Sequence, residues 1–180
     1  MAEPKYTIST ETGKSATRDK LITALNIGTD ASPDWKPLGK HVEDSNIEFD
    51  YSEEDRQDIL GNSYTQVKNP KKTQDFSGNN FIGGDELMNY LIDLAVVKND
   101  FSALAAQECL ILHTYLKDST GKTFAERYSE CTVLPSTLGG EGGGVLISDV
   151  TVKYGGTRTT GTATYSAGSG ITFTPDASSD

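Results

Sequence analysis

The sequence predicts a mainly β protein, an antiparallel β-sandwich or barrel with one flanking α-helix over about residues 85–98. Three observations lead there. Apolar and polar residues alternate in short runs, most clearly in Ser45-Asn46-Ile47-Glu48-Phe49-Asp50-Tyr51-Ser52 and in Val145 to Tyr154. Glycine makes up 18 of the 180 residues and falls mostly between those runs, as turn punctuation. A single stretch, after Gly83-Gly84, carries clear helical spacing. Strands joined by short turns pair antiparallel, and one amphipathic helix must then cover part of a sheet.

Residues 1–17 are polar with few apolar anchors and read as an N-terminal arm without a core of its own. Residues 18–175 read as one β domain and residues 176–180 as a short polar tail. Lys20 to Gly28 (KLITALNIG) is a strand, because Leu21, Thr23, Leu25 and Ile27 share a face. Turn residues surround Trp35 in TDASPDWKPLG. Asn46 to Glu53 is the alternating strand, with Ile47, Phe49 and Tyr51 on one face and Asn46, Glu48 and Asp50 on the other. Asp58 to Val67 (DILGNSYTQV) is β-prone, bent or bulged at Gly61-Asn62. Asn69-Pro70-Lys71-Lys72 reads as a turn.

For the helix, Asp85 is a good N-cap, Glu86 suits the positive first turn and Lys98 the negative end. Leu87, Leu91, Leu94 and Ala95, flanked by Tyr90 and Met88, form an apolar stripe that fits against a sheet. Gln107 to Lys117 and Lys122 to Leu134 then flank Asp118-Ser119-Thr120-Gly121 as a hairpin. A turn centred near Thr120 sets Cys109 opposite Cys131, within reach of a bridge. A reducing cytoplasm favours two buried thiols instead. Leu138 to Gly144 is a flexible loop and Val145 to Tyr154 a further strand. Gly155-Gly156, Gly161 and Gly168 to Gly170 punctuate threonine-rich strands that end at ITFTP.

Composition narrows the function. The net charge is −10, opposite to what gripping phosphates by charge requires. It is also uneven: residues 41–58 carry eight acidic residues against Arg56, and Lys68, Lys71 and Lys72 follow as a small basic cluster. No apolar run approaches the roughly 20 residues of a membrane-spanning helix. The opening MAEPKYTISTETGKS lacks an apolar signal segment, which predicts folding in a cytoplasm. His41 and His113 are the only histidines, and neither has a Cys or His at ligand spacing, so a structural zinc is not expected. Gly13-Lys14-Ser15 and Gly121-Lys122-Thr123 lack the upstream glycine of a phosphate loop, since Ile8 and Leu116 occupy that position. GGEGGG opens no helix, and Asp30, Asp34 and the EEDRQD run lack EF-hand spacing. No catalytic constellation and no cofactor site is expected.

The segments Trp35-Lys36-Pro37-Leu38-Gly39, SNIEFDYSEEDRQDILGNSYTQVKNPKKTQDF, FAERYSECTVLP, LGGEGGGVLISDVTVKYGGTRTTGT and GITFTP occur in an order that is familiar. Over residues 18 to 175 the chain resembles the major tail tube proteins of long-tailed, siphovirus-type bacteriophages that infect Gram-positive bacteria. The resemblance implies a tail-tube-like β-sandwich with a flanking helix, carrying no enzyme activity and no cofactor. It implies hexameric rings, each subunit lending strands to a continuous inner β-barrel, stacked into a tube for double-stranded DNA. The implied partners are further copies of itself and the tape measure, terminator and distal tail proteins. Its place would be the virion tail, after assembly in the host cytoplasm, with DNA in transit and not specifically bound.

On that expectation Glu48 and Asp50, with Asn46, line the bore, where carboxylates repel the phosphates that lysines would hold. Ile47, Phe49 and Tyr51 then pack into the subunit wall. Lys68, Lys71 and Lys72 are expected to meet the acidic run, Glu53, Glu54 and Asp55, of a neighbouring subunit or ring. Two alternatives stand beside this: another β-rich virion component, such as a tail terminator or decoration protein, and an immunoglobulin-like binding module.

Overall fold

The computed structural model describes residues 4–42, 44–166 and 170–177. Glu43 of the acidic run, Gly168-Ser169 of the expected turn, and residues 1–3 and 178–180 lie outside them. The architecture is organised around one long strand, β9 (Thr123–Pro135). Along one edge it pairs with β8 (Gln107–Lys117), which carries β2 (Leu21–Asn26), then β3 (Trp35–Pro37), with the short β1 (Thr7–Ile8) at its far end.

The other edge of β9 is shared. Its first half pairs with β11 (Arg158–Ser166), which pairs with β12 (Gly170–Pro175). Its second half pairs with β10 (Ile147–Lys153), followed by β7 (Lys71–Asn80) and the edge strand β4 (Ile47–Asp50). All pairings are antiparallel, as the short turns predicted. The step from β10 to β11 hugs β9 so closely that a side chain at Gly156 would sit 2.6–2.7 Å from Ser129 and Glu130, at a φ of 68°. Glycine there lets two strands share one edge.

Two cores result. β8 buries both faces, which explains its CLIL run. Leu110 and Leu112 point into a cluster with Ala24, Trp35, Ala125, Ala163 and Ile171. Cys109 and Ile111 point the other way, into a larger core with Leu25, Phe76, Leu91, Val133, Val150 and Val152. The helix α1 (Glu86–Ile92) covers that second core with Leu87, Met88 and Leu91. Asp85 caps it, accepting from the Met88 amide at 3.1 Å. None of the described helices is long and apolar enough to cross a membrane.

The expected helix runs from its Asp85 cap to Lys98, its second half (Asp93–Val97) as a π-helical turn; beyond it Asn99 takes a φ of 53° and a short α2 (Phe101–Leu104) follows. Other expectations need correcting. Trp35 sits in a strand, not merely among turn residues. Asn69-Pro70-Lys71-Lys72 is not all turn, because Lys71 and Lys72 open β7. That strand was invisible in the sequence. Its KKTQDFSGNN carries polar side chains at buried positions, tolerated because each finds a partner. Gln74 accepts from Thr23 Oγ1 at 2.7 Å and Tyr154 OH at 2.6 Å and donates to Ser45 Oγ at 3.0 Å. Asn79 donates to the Phe76 and Ser148 carbonyls at 2.9 and 3.1 Å.

The β8–β9 register also shifts. Irregularities place Cys109 opposite Tyr128 and Cys131 opposite Gln107, yet the two side chains still meet as expected: both are buried, free thiols in hydrogen-bond contact with each other.

Candidate functional site

Between β4 and β7 the chain leaves the body as an arm. The β4–β7 ladder continues through the Lys68 amide, which donates to the Tyr51 carbonyl at 3.2 Å, into a separate hairpin of β5 (Glu54–Gln57) and β6 (Ser63–Gln66). Every residue of β6 is exposed, and among the described residues the hairpin joins no other sheet. The expected bend at Gly61-Asn62 is present as the turn of this hairpin, but its first strand begins upstream of Asp58, at Glu54.

The root of the arm is anchored by one carboxylate. Glu126 on β9 is buried, its side chain 4% exposed. It accepts from Lys72 Nζ at 2.8 and 2.9 Å, from Arg158 Nε at 2.5 Å and from Tyr128 OH at 2.9 Å, and lies 2.8 Å from His113 Nε2. His113 Nδ1 lies 2.9 Å from Tyr115 OH. Burial alone would raise the Glu126 pKa, but the bonds from His113, Lys72 and Arg158 outweigh it and hold the carboxyl far below the usual carboxylate range. Burial and the Glu126 charge together push the Tyr128 hydroxyl up. Such a glutamate stays ionised and acts as an anchor, not as an acid. The Lys72 ammonium lies 5.5 Å from the Phe49 ring and 5.4 Å from that of Tyr128, so both strands at the arm's root meet this centre.

The sequence-predicted residues distribute around this arm. β4 is shorter than the expected Asn46 to Glu53, because Ser52 adopts a φ of 44° and its amide bonds Asp50 Oδ1 at 3.0 Å. Asn46, Glu48 and Asp50 are all exposed, and strand alternation puts Glu48 and Asp50 on the face away from Phe49 and Lys72. Of the three residues expected to pack into the wall, only Ile47 is half-buried; Phe49 and Tyr51 are exposed and stack on each other at 6.3 Å. Among the described residues the outer edge of β4 has no strand beside it.

Two of the lysines have partners within their own chain. Lys72 is committed to Glu126, and Lys68 pairs with Glu54 of its own chain at 2.8 Å, with Arg56 on the other oxygen. Asp55 accepts from Thr65 across the hairpin at 2.8 Å. Lys71 and Glu53 are exposed. The sequence reading missed the Glu126 centre, whose members are spread from residue 72 to 158. A signal was present: Phe124, Glu126 and Tyr128 share one strand face, and a glutamate between two aromatics on a buried face requires partners. Among the described residues no group of three or more His, Cys, Asp or Glu converges as a metal site would.

No protein-family model and no curated protein matches the sequence. Solved structures do match. One is the sheath/tube terminator of an extracellular contractile injection system (PVC) in its extended state, with a TM-score of 0.52 and 9% identity over 83% of this chain and 98% of that one. Another is a chain of the six-fold symmetrised anti-feeding prophage (AFP) baseplate, with a TM-score of 0.50 and 10% identity over 82% of this chain and 95% of that one. The chain shares their fold. At such identities the likeness speaks for the fold and for nothing finer.

Proposed function

We propose that this protein is a non-enzymatic structural subunit of a phage or phage-like tail, a tube protein whose rings stack into a conduit for double-stranded DNA. The observation that carries the reading is the extent of the shared fold: the likeness takes in 98% of a tube terminator and 95% of a baseplate chain, so the whole neighbour is matched and not a common submotif. The neighbours come from contractile systems, which supports the broad class. A long-tailed phage of a Gram-positive host, and a hexameric ring, rest on the sequence resemblance.

The exposed features suit assembly. The free edge of β4 would pair with a neighbouring subunit, closing an inner sheet that otherwise invites uncontrolled association. Glu48 and Asp50, exposed beside that edge, would face the bore and keep a water layer between the wall and the phosphates. A terminator at the end of the tube is the second reading, favoured by the terminator among the neighbours. Electron microscopy of the purified protein at high concentration tests both. Stacked hollow tubes are expected of a tube subunit, and single capping rings of a terminator. A protein that stays monomeric at every concentration would leave only a binding module.

A further inference from the structure

An irregularity in the β8–β9 ladder brings the two cysteines together. Two steps along β8, from Gln107 to Cys109, are matched by three along β9, from Cys131 back to Tyr128. The extra residue in β9 makes a bulge at Ser129-Glu130. It turns Tyr128 and Cys131 to the same side, which residues three apart in a regular strand do not share. Cys109 and Cys131, 22 positions apart in the sequence, thus enter the larger core as diagonal neighbours with their thiols in hydrogen-bond contact.

The two thiols are not equivalent. The Cys109 thiol bonds the Cys131 sulfur, and against burial this contact, with the Gly155 and Cys109 amides, draws the Cys131 pKa below the usual thiol value. Burial pushes Cys109 the other way. Cys131 is thus the nucleophile of the pair and Cys109 the thiol at hand to resolve it. A disulfide has a Sγ–Sγ length of about 2.05 Å, so sulfurs already in contact have only a short distance to close. The cover over the bulge is loosely held: the Ser129 amide donates to the Thr157 carbonyl at 3.3 Å and the Glu130 amide to the Gly155 carbonyl at 3.4 Å, both long for backbone bonds. Transient opening of these two bonds gives a small oxidant its path.

We propose that Cys109 and Cys131 are an oxidative staple: a hydroperoxide, hydrogen peroxide in the simplest case, converts the pair to a disulfide that ties β8 to β9 within one chain. The Cys131 thiolate attacks one peroxide oxygen and the O–O bond breaks. Cys131 becomes a sulfenic acid, and the other oxygen leaves as water with the proton Cys131 gave up. Cys109 Sγ then attacks the Cys131 sulfur, the S–O bond breaks, and the hydroxyl departs as water with the Cys109 proton. Two electrons pass from the thiols to the peroxide. Reversal requires a reducing thiolate to reach the same buried sulfurs, so the bond persists once made. A chain folded in a reducing cytoplasm starts as two thiols and is stapled in oxidising surroundings, whether or not it assembles.

To test this, the reduced full-length protein is incubated under native conditions with hydrogen peroxide, the peroxide is removed with catalase, and the chain is denatured and treated with maleimide. The expected result is no label, a mass loss of about 2 Da for the two hydrogens, and a tryptic product joining residues 99–117 to residues 128–153. Closing this loop should raise the midpoint of thermal unfolding by roughly 5–10 °C. Cys109→Ala removes the resolving thiol, so peroxide is expected to leave Cys131 of that variant as a sulfenic acid that dimedone traps, or as the sulfinic acid. Two labels on the wild type after prolonged exposure would overturn the proposal, as would loss of thiols without the joined peptides. A ladder of reductant-sensitive multimers would also overturn it, by placing the bonds between chains. Joined peptides with an unchanged midpoint would overturn the action as a staple. All of these are read on the unassembled chain, so they leave the tube reading untouched.

Discussion

Lys72 Nζ reaches both carboxylate oxygens of Glu126, at 2.9 and 2.8 Å, although 54 residues separate the two in the chain. That pair joins the start of strand β7, where the arm returns to the body, to the central strand β9. With Arg158 it also draws in β11 and with His113 β8, so one buried carboxylate ties four strands together.

Glu126→Ala is expected to destabilise the protein by about 3 kcal/mol, because it leaves a nearly buried lysine without its counter-charge. Lys72→Met should cost less, about 2 kcal/mol, since Arg158, His113 and Tyr128 still satisfy Glu126. Urea unfolding of the three proteins checks the order. Equal, negligible losses would show that the centre contributes nothing to the fold.

The same centre predicts an acid dependence. The folded pKa of Glu126 lies well below its ordinary value of 4.5, so folding favours the ionised form. Its stabilisation is complete above about pH 4.5 and is lost as the pH falls from there toward the folded pKa. Glu126→Gln should therefore flatten the acid limb of stability against pH below 4.5, while its stability at pH 7 drops. Unchanged slopes between wild type and variant would contradict this.

Cys109 and Cys131 are 1% and 0% exposed, and burial pushes the Cys109 thiol well above its usual value. The thiolate is the reactive form, and solvent reagents cannot reach it. Native protein is expected to react with a thiol-specific maleimide only slowly, on the timescale of opening, and to take up two labels at once in denaturant. Rapid labelling of native protein at either residue would refute the packing described.

Reversing Glu48→Lys and Asp50→Lys changes two exposed side chains and should alter stability by less than about 0.5 kcal/mol. In an assembled particle the variant is expected to form tubes yet deliver DNA more slowly, with the defect shrinking at high salt as the added charges are screened. Normal delivery from intact tubes would remove these residues from the bore.

The lack of an apolar pattern in KKTQDFSGNN hid this strand for a physical reason. Periodicity reports where apolar side chains are needed, and β7 meets its neighbours largely through satisfied polar groups such as Gln74 and Asn79. The cysteine register failed differently: counting outward from the Asp118 to Gly121 turn assumes a regular ladder, and the irregularities between Gln107 and Cys109 and between His113 and Lys117 break that count. The helix cap at Asp85 and the bend at Gly61-Asn62 were legible because each depends on one or two residues acting locally.

Local alternation, glycine spacing and a single capped helix were enough, from the sequence by itself, to determine a mainly antiparallel β protein whose acidic stretch leads into a bend. Only the tertiary structure decided that Lys72 turns inward to Glu126, that Phe49 and Tyr51 remain in water, and that the Asp58 to Asn62 turn closes a hairpin separate from the main sheet. Strand and turn preferences act over a few neighbouring residues, whereas these outcomes depend on residues tens of positions apart meeting across strands.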